Sequence, residues 1–377
     1  MRILYICDAL AIYGGLERIL VEKLNELSKR YEYEMFLVTA NQGQHPIPFP
    51  LNPKVTFCDL AIMFHRQYYV RGVRRLWTKY KLNRLFICKL RQQIQKIQPD
   101  VIVCVRINYL VDVQKVSGNV PVIFESHTSR CEYDFASLPF HRRIFVHYWQ
   151  QSVAGVDKVI ALTEGDANAW SEINPSVCVI PNVVHLNESG HYSNCQAKSV
   201  IFVGRFSEQK DIRSLLQIWE IVHHRHSEWV LNIYGGYGEE KDELMPLLEQ
   251  EEKGICVHEP TPDIFDHYLE SSMLILTSLY EPFGLVLPEA MSCGLPVISF
   301  DCPYGPADII TDGVDGFLIK NRSIEAFADK VCLLIDNPQL RKEMGKAGVL
   351  SSQRYHANQI MPLWQTLFNK ITKPLQK

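Results

Sequence analysis

The 377-residue chain is missing several features that would place it quickly. Its eleven cysteines are odd in number, scattered and never spaced as Cys-x-x-Cys. They read as free thiols of a reducing compartment, not as a disulfide framework. No apolar run approaches the roughly 18–20 residues of a membrane span. The opening Met1-Arg2-Ile3-Leu4-Tyr5-Ile6-Cys7 runs straight into a structured pattern, unlike a secretory leader, so the expected location is the cytoplasm. Absence of Gly-x-Gly-x-x-Gly argues against a dinucleotide oxidoreductase. No segment is of low complexity, and a formal net charge of −3 selects no class of partner.

One absence is local. Between Leu60 and Pro99 there is no Asp or Glu, against ten Lys or Arg: Arg66, Arg71, Arg74, Arg75, Lys79, Lys81, Arg84, Lys89, Arg91 and Lys96. Apolar residues Leu82, Leu85, Phe86, Leu90, Ile94 and Ile97 recur at helical spacing, which predicts a core-packed helix for the later half. The segment 66–81 interleaves its charges with Tyr68, Tyr69, Val73, Leu76, Trp77 and Tyr80. It fits an anionic membrane surface or a lipid diphosphate, and equally a solvated basic face. Nucleic acid is not expected, since no recognition motif accompanies the charges.

Elsewhere the pattern alternates. Strand-like runs at Arg2–Cys7, Met35–Thr39, Val55–Cys58, Val101–Val105, Val120–Phe124 and Lys158–Leu162 are separated by helical ones. Further runs follow at Ser199–Val203, Val230–Tyr234, Ile255–His258, Met273–Thr277 and Val297–Phe300. Such alternation means parallel sheets covered by helices, and the length suits two domains. Ligands of open α/β sheets bind outside the carboxyl ends of the strands. Glu281-Pro282-Phe283-Gly284-Leu285 lies at such an end, and Glu289 follows with seven residues between the two glutamates. A sharp loop opening a helix suits phosphate, and flanking carboxylates suit hydroxyls, so the stretch fits a ligand with phosphates in the middle and polyols at its ends. Arg205 and Lys210 flank another loop after a strand and could face one anion. Gly14-Gly15 precedes an apolar helix, and His127 follows a strand directly. Taken singly, each of these is more often a turn, a solvated charge or a structural histidine.

Together they resemble the retaining nucleotide-sugar glycosyltransferases of family four. The resemblance rests on Glu281, Phe283-Gly284-Leu285 and Glu289, on Gly294-Leu295-Pro296-Val297-Ile298 and Gly313-Val314-Asp315-Gly316-Phe317-Leu318, and on Gly14-Gly15-Leu16-Glu17-Arg18. It implies a GT-B fold, two Rossmann-like doubly wound parallel-sheet domains facing each other across a cleft. The expected division is 1–186 for the acceptor side and 187–357 for the donor side, with 358–377 crossing back as a final helix. The resemblance also implies that Arg205 and Lys210 hold the donor diphosphate, that Glu281 and His127 contact the sugar, and that Glu289 holds the ribose. Gly14, Gly15, Phe283, Gly284 and Leu285 would line the donor. By the same resemblance the loop Gly235–Gly238 and the backbone of Glu259–Thr261 lie near it, and Ser129–Pro139, with Arg130, Glu132 and Asp134, is a plausible acceptor contact. No metal and no other cofactor is implied, since two cations take the metal's place and no Asp-x-Asp occurs.

The implied reaction moves a hexose or N-acetylhexosamine from a UDP-sugar to a hydroxyl of a glycan or polyprenyl-diphosphate-linked acceptor, in cell-surface polysaccharide or glycoconjugate assembly. Cys302-Pro303-Tyr304-Gly305-Pro306 resembles members that use UDP-sugars; GDP-mannose is the alternative donor. That acceptor would bring the enzyme to the inner face of the cell membrane as a peripheral protein. A nucleotide-sugar epimerase or hydrolase, and a binder without catalysis, are the readings from other classes.

Overall fold

Unbroken apolar runs become the inner strands. Val101–Cys104, Val122–Glu125, Met273–Leu276 and Val297–Phe300 are buried along their whole length, as parallel strands covered on both faces must be. The computed structural model describes residues 1–12, 14–133, 140–248 and 254–372, with the backbone alone at 133 and 140–145. The chain divides into two compact units. One comprises 1–162, 166–183 and the chain from Ile360 on; the other comprises 163–165 and 184–359.

The first unit is built from β1 (Arg2–Cys7), α1 (Gly15–Arg30), β2 (Glu34–Thr39), β3 (Val55–Asp59), α2 (Gly72–Ile97), β4 (Val101–Cys104), α3 (Ile107–Ser117), β5 (Val122–Glu125), α4 (Phe140–Ala154), β6 (Lys158–Ala161), α5 (Glu164–Ser171) and β7 (Val177–Val179). The second holds β8 (Ser199–Val203), α6 (Ile212–Arg225), β9 (Val230–Tyr234), α7 (Lys241–Leu248), β10 (Ile255–His258), α8 (Ile264–Leu269), β11 (Met273–Leu276), α9 (Val286–Ser292), β12 (Val297–Phe300), α10 (Gly305–Ile309), β13 (Gly316–Ile319), α11 (Ile324–Asp336) and α12 (Pro338–Ser352). The last helix, α13 (Ala357–Ile371), returns to the first unit. There Phe368 meets Tyr33 edge-on with ring centroids 6.1 Å apart.

Strands run in the order β3-β2-β1-β4-β5-β6-β7 in one sheet and β10-β9-β8-β11-β12-β13 in the other. Every pairing is parallel. Each sheet reverses its winding once, between β1 and β4 and between β8 and β11, and those switch points open a crevice at the strands' carboxyl ends.

The structure adds to and shifts the sequence reading. Strand β5 begins after Pro121 rather than at Val120, because proline has no N–H for the ladder, and the shift places Glu125 inside the strand. Two strands are not expected from the sequence, β7 at a sheet edge and β13; both are very short apolar runs, Val177-Cys178-Val179 and Phe317-Leu318-Ile319, set between turn residues. In α2 the buried stripe is Leu82, Phe86, Leu90, Ile94 and Ile97, whereas Leu85 points outward, 41% exposed. Among the described residues no helix is long and apolar enough to cross a membrane.

Candidate active site

In the second unit β8 and β11 are neighbours, so the loops leaving their carboxyl ends meet although they are far apart in sequence. Lys210, in the 3-10 turn Glu208–Lys210, donates from Nζ to Glu281 Oε1. Ser278 Oγ donates to the same oxygen at 2.7 Å. Glu281 is buried, and its backbone is stitched to the loop before α10. Its N–H donates to Pro303 O at 2.7 Å, and its carbonyl accepts from Tyr304 and Gly305 N–H at 2.9 Å each. Gly305 permits this approach, since a Cβ there would collide with the backbone of Phe283.

Arg322 ties the same two loops together. It donates to the carbonyls of Ser278 at 2.7 Å and Thr277 at 2.9 Å, and pairs with Asp211 Oδ2 at 2.5 Å. Thr277 Oγ1 closes the clamp by donating to Lys210 O at 2.9 Å. Arg205 follows β8 and is exposed, its guanidinium engaged by no carboxylate among the described residues. Phe283 is buried edge-on against Tyr355, with ring centroids 5.1 Å apart. Gly284 turns the chain at φ +92°, and Leu285 caps α9. Glu289, on α9, is buried and accepts from Tyr268 OH at 3.4 Å. Thus Lys210 and Glu281 are in direct contact, while Glu289 and Arg205 are held separately.

The first unit holds a second charged cluster at the carboxyl end of β5. His127 Nε2 stands 3.0 Å from Glu125 Oε1, at ion-pair distance but outside hydrogen-bond alignment. Lys23 Nζ, from α1, donates to the same Glu125 oxygen. Glu125 and Lys23 are each 2% exposed, and the ammonium also lies 5.0 Å from the Tyr5 ring centroid and 4.7 Å from that of Trp364. Burial alone would raise the Glu125 carboxyl, but the charges of Lys23 and His127 overcome it and hold the group at about 2. Burial lowers Lys23 from its ordinary value, opposed by Glu125. The ionised carboxylate is the firmer conclusion, because the Lys23 ammonium donates to it and the His127 ring stands beside it.

Gly14 caps α1 and Gly15 is its first residue, about two turns before Lys23. A Cβ at Gly14 would run into the Glu17 carboxylate. In the loop after β5 the Arg130 N–H donates to Asp166 Oδ1 at 2.7 Å, and the Ser129 N–H to Glu132 Oε1 at 3.0 Å. Asp134 lies outside the described residues.

Sequence reasoning missed Lys23, Glu125, Ser278 and Arg322. Only Lys23 left a clear trace, a cation inside the apolar stripe Leu16, Ile19, Leu20, Leu24 and Leu27. Nearby thiols are poor nucleophiles. Burial, reinforced by the Glu281 charge, pushes Cys302 up to about 12, and burial pushes Cys293 up to about 12, so neither is a thiolate at neutral pH.

Residues 13–188 match the family model described as Glycosyltransferase Family 4, and residues 190–350 match that of Glycosyl transferases group 1. The chain belongs to the family-four type of GT-B glycosyltransferases. This glycosyltransferase is similar to the amylovoran biosynthesis glycosyltransferase AmsD of Erwinia amylovora, 28% identical over 384 residues, which cover 98% of this chain and 99% of the relative. It is also similar to a poly(ribitol-phosphate) alpha-N-acetylglucosaminyltransferase of Staphylococcus aureus (strain COL), 30% identical over 221 residues, or 57% of this chain and 44% of that one. The crystal structure of TarM superposes with a TM-score of 0.79 at 16% identity, covering 98% of both chains. A mutant of S. aureus TarM in complex with Fondaparinux, alpha-GlcNAc-glycerol and UDP gives 0.77 at 16% identity, covering 98% of this chain and 99% of that one. At that identity the likeness establishes the GT-B fold.

Proposed function

We propose that this glycosyltransferase moves a hexose or N-acetylhexosamine from a UDP-sugar to a hydroxyl of a glycan or polyprenyl-diphosphate-linked glycan, with retention at the anomeric carbon. The observation that carries the proposal is the partly buried Lys210–Glu281 pair at the switch point of the second sheet. A buried pair is weak evidence for stability. At a switch point it is well suited to exchange partners: a donor diphosphate takes Lys210, and the freed Glu281 accepts from sugar hydroxyls. Arg205 supplies the second cation, the backbone of Phe283–Leu285 adds N–H donors, and Glu289 takes the ribose. In the first unit, His127 and the backbone of Gly14-Gly15 are the residues that the family resemblance assigns to the sugar-nucleotide. Cations at the diphosphate oppose the negative charge that develops there as the bond breaks. Such electrostatic stabilisation commonly outweighs every other catalytic effect, so the reading needs no metal.

In the reacting step the bond from the anomeric carbon to the diphosphate oxygen breaks and its electron pair leaves with UDP. The acceptor oxygen bonds on the same face, and its proton passes to the departing phosphate oxygen. With both thiols pushed up to about 12 by burial, neither Cys302 nor Cys293 supplies a nucleophile for a covalent intermediate. UDP as the nucleotide is supported by the nature of the S. aureus relative, an N-acetylglucosaminyltransferase, and by the UDP in the TarM complex. A role in cell-surface polysaccharide assembly is supported by AmsD.

Thermal unfolding with UDP, GDP or ADP tests the reading. Ligand at 100 times Kd adds about 2.7 kcal/mol, a shift of roughly 5–10 °C for units of this size. A shift with UDP alone is expected. A shift with GDP alone would turn the assignment to a mannosyl donor, and no shift with any of the three would remove it.

A further inference from the structure

We propose that the exposed arm formed by 64–81 docks this enzyme on an anionic lipid bilayer. The proposal identifies the surface that a lipid-linked acceptor would require and rests on that part of the proposed function. The arm comprises the 3-10 turn Phe64–Tyr69 and the first part of α2. From Gly72 to Lys81 every residue but Thr78 is exposed, so nearly three turns of helix leave the body of the first unit before Leu82 begins the buried stripe. Val73, Leu76, Trp77 and Tyr80 are 81%, 69%, 60% and 57% exposed, and their i, i+3, i+4, i+7 spacing puts them on one helical face. Tyr68 and Tyr69 extend the apolar surface, 65% and 79% exposed. Such a contiguous aromatic patch is uncommon on a monomer that meets only water.

Charge selects the occupant. Arg66, Arg71, Arg74, Arg75, Lys79, Lys81 and Arg84 surround the patch, all exposed, and no acid lies between Leu60 and Pro99. Arg75 stacks over Tyr68 at 4.8 Å and Lys81 over Trp77 at 3.4 Å, so cations flank the rings as at a headgroup boundary. The stretch carries ten basic residues and no acidic ones. The rest of the chain therefore holds 29 basic residues (39 less ten) against 42 acidic, a net charge of −13. An anionic surface attracts the arm and repels the remainder, which orients the molecule as well as binding it. A second copy paired symmetrically through this face would set the arm's cations against their own like charges, whereas an anionic bilayer interface takes Trp, Tyr and Leu on one side and Arg and Lys on the other.

The test is co-sedimentation of the full chain with vesicles of phosphatidylcholine alone or mixed with phosphatidylglycerol, at low and high salt. Binding is expected to need phosphatidylglycerol and to fall as salt rises. Replacing Arg71, Arg74 and Arg75 together by Gln should weaken partitioning on the order of a hundredfold, given about fivefold per basic residue. Leu76→Ser with Trp77→Ser should abolish it while leaving the charges in place. All these positions are exposed, and circular dichroism confirms that the variants fold. Absence of binding to the mixed vesicles overturns the proposal, as does equal binding by the variants or by phosphatidylcholine alone. An arginine-dependent dimer in light scattering without lipid also overturns it, assigning the arm to a second copy. None of these outcomes bears on the UDP shift, so the two readings fail separately.

Discussion

Replacing Lys23 by methionine should expose how the first unit holds its candidate site. Methionine keeps most of the volume of the buried stem and removes the charge. Glu125 would then sit 2% exposed without its ammonium partner, and breaking a buried pair by removing one member costs about 3–5 kcal/mol. At ~2–4 °C per kcal/mol for a unit of this size, the melting temperature should fall by roughly 6–20 °C. Loss of the contacts to Tyr5 and Trp364 is part of that fall. The double variant Lys23→Met/Glu125→Leu removes both charges and should recover most of the loss, since apolar replacement of a buried pair is often neutral or stabilising. The pH dependence has a definite sign. In the parent the Glu125 carboxyl lies at about 2, below its ordinary 4.5. Its contribution is therefore fully present above pH 4.5 and is lost as pH falls through about 2. Without Lys23, burial pushes the carboxyl upward against His127 alone, and the penalty of keeping it ionised grows as pH rises. The gap between parent and single variant should accordingly narrow below about pH 4. Urea and thermal unfolding followed by circular dichroism from pH 3 to 8 measure this. A single-variant loss under about 1 kcal/mol, or a double variant no better than the single, would refute the reasoning.

Glu281→Gln should lower turnover by more than it weakens UDP binding, because the amide still meets Lys210 and Ser278 but no longer accepts from sugar hydroxyls with a full charge; near-parental turnover would take Glu281 out of the site. Arg322→Ala frees two carbonyls and Asp211 and should cost about 2 kcal/mol while weakening UDP binding by loosening the Lys210 loop. If Arg322→Lys restores both in full, the fork geometry is not what matters. Asp166 has its carboxyl raised from 3.8 to about 6, chiefly by burial. A raised acid keeps its proton when folded after the unfolded chain has lost it, so stability should fall as pH rises from about 4 to 6, by about 3 kcal/mol at 1.36 kcal/mol per pH unit. Asp166→Asn should remove that slope, and an unchanged slope in the variant would reassign it to another group.

Most of the architecture was legible in the chain because inner parallel strands announce themselves as short apolar runs. Lys158–Ala161 and Met273–Leu276 could hardly be anything else. The elements that escaped carry the same signal over only three residues, too short to stand out. Strand β7 is three half-exposed residues before Pro181, and in β13 only Phe317-Leu318-Ile319 follow the opening Gly316. Helix α2 was half legible. Its buried half follows the apolar period, and Leu85 breaks it because the helix rotates that position to solvent.

Pairings inside the clusters were less legible, for a physical reason. Contact between Lys210 and Glu281 spans 71 positions, and only the parallel order, by setting β8 beside β11, brings the two loops together. Sequence can suggest such a meeting through the switch-point rule, but it cannot say which oxygen meets which nitrogen. Lys23 is the instructive case. It lies three residues after Leu20 and four after Ile19, on the face of α1 that turns inward. A cation in that stripe must either leave the core or find an anion there. The anion is Glu125, at the last position of β5, and the ring above is Trp364 from the final helix. A lysine in an otherwise apolar stripe is therefore a prediction of a buried carboxylate on the facing strand. The carboxylate lies two residues before His127 and 3.0 Å from its ring, so replacing the pair tests whether it positions that histidine as well as holding the fold. The Lys23→Met/Glu125→Leu variant separates the two roles: it should regain the melting temperature and still lose turnover.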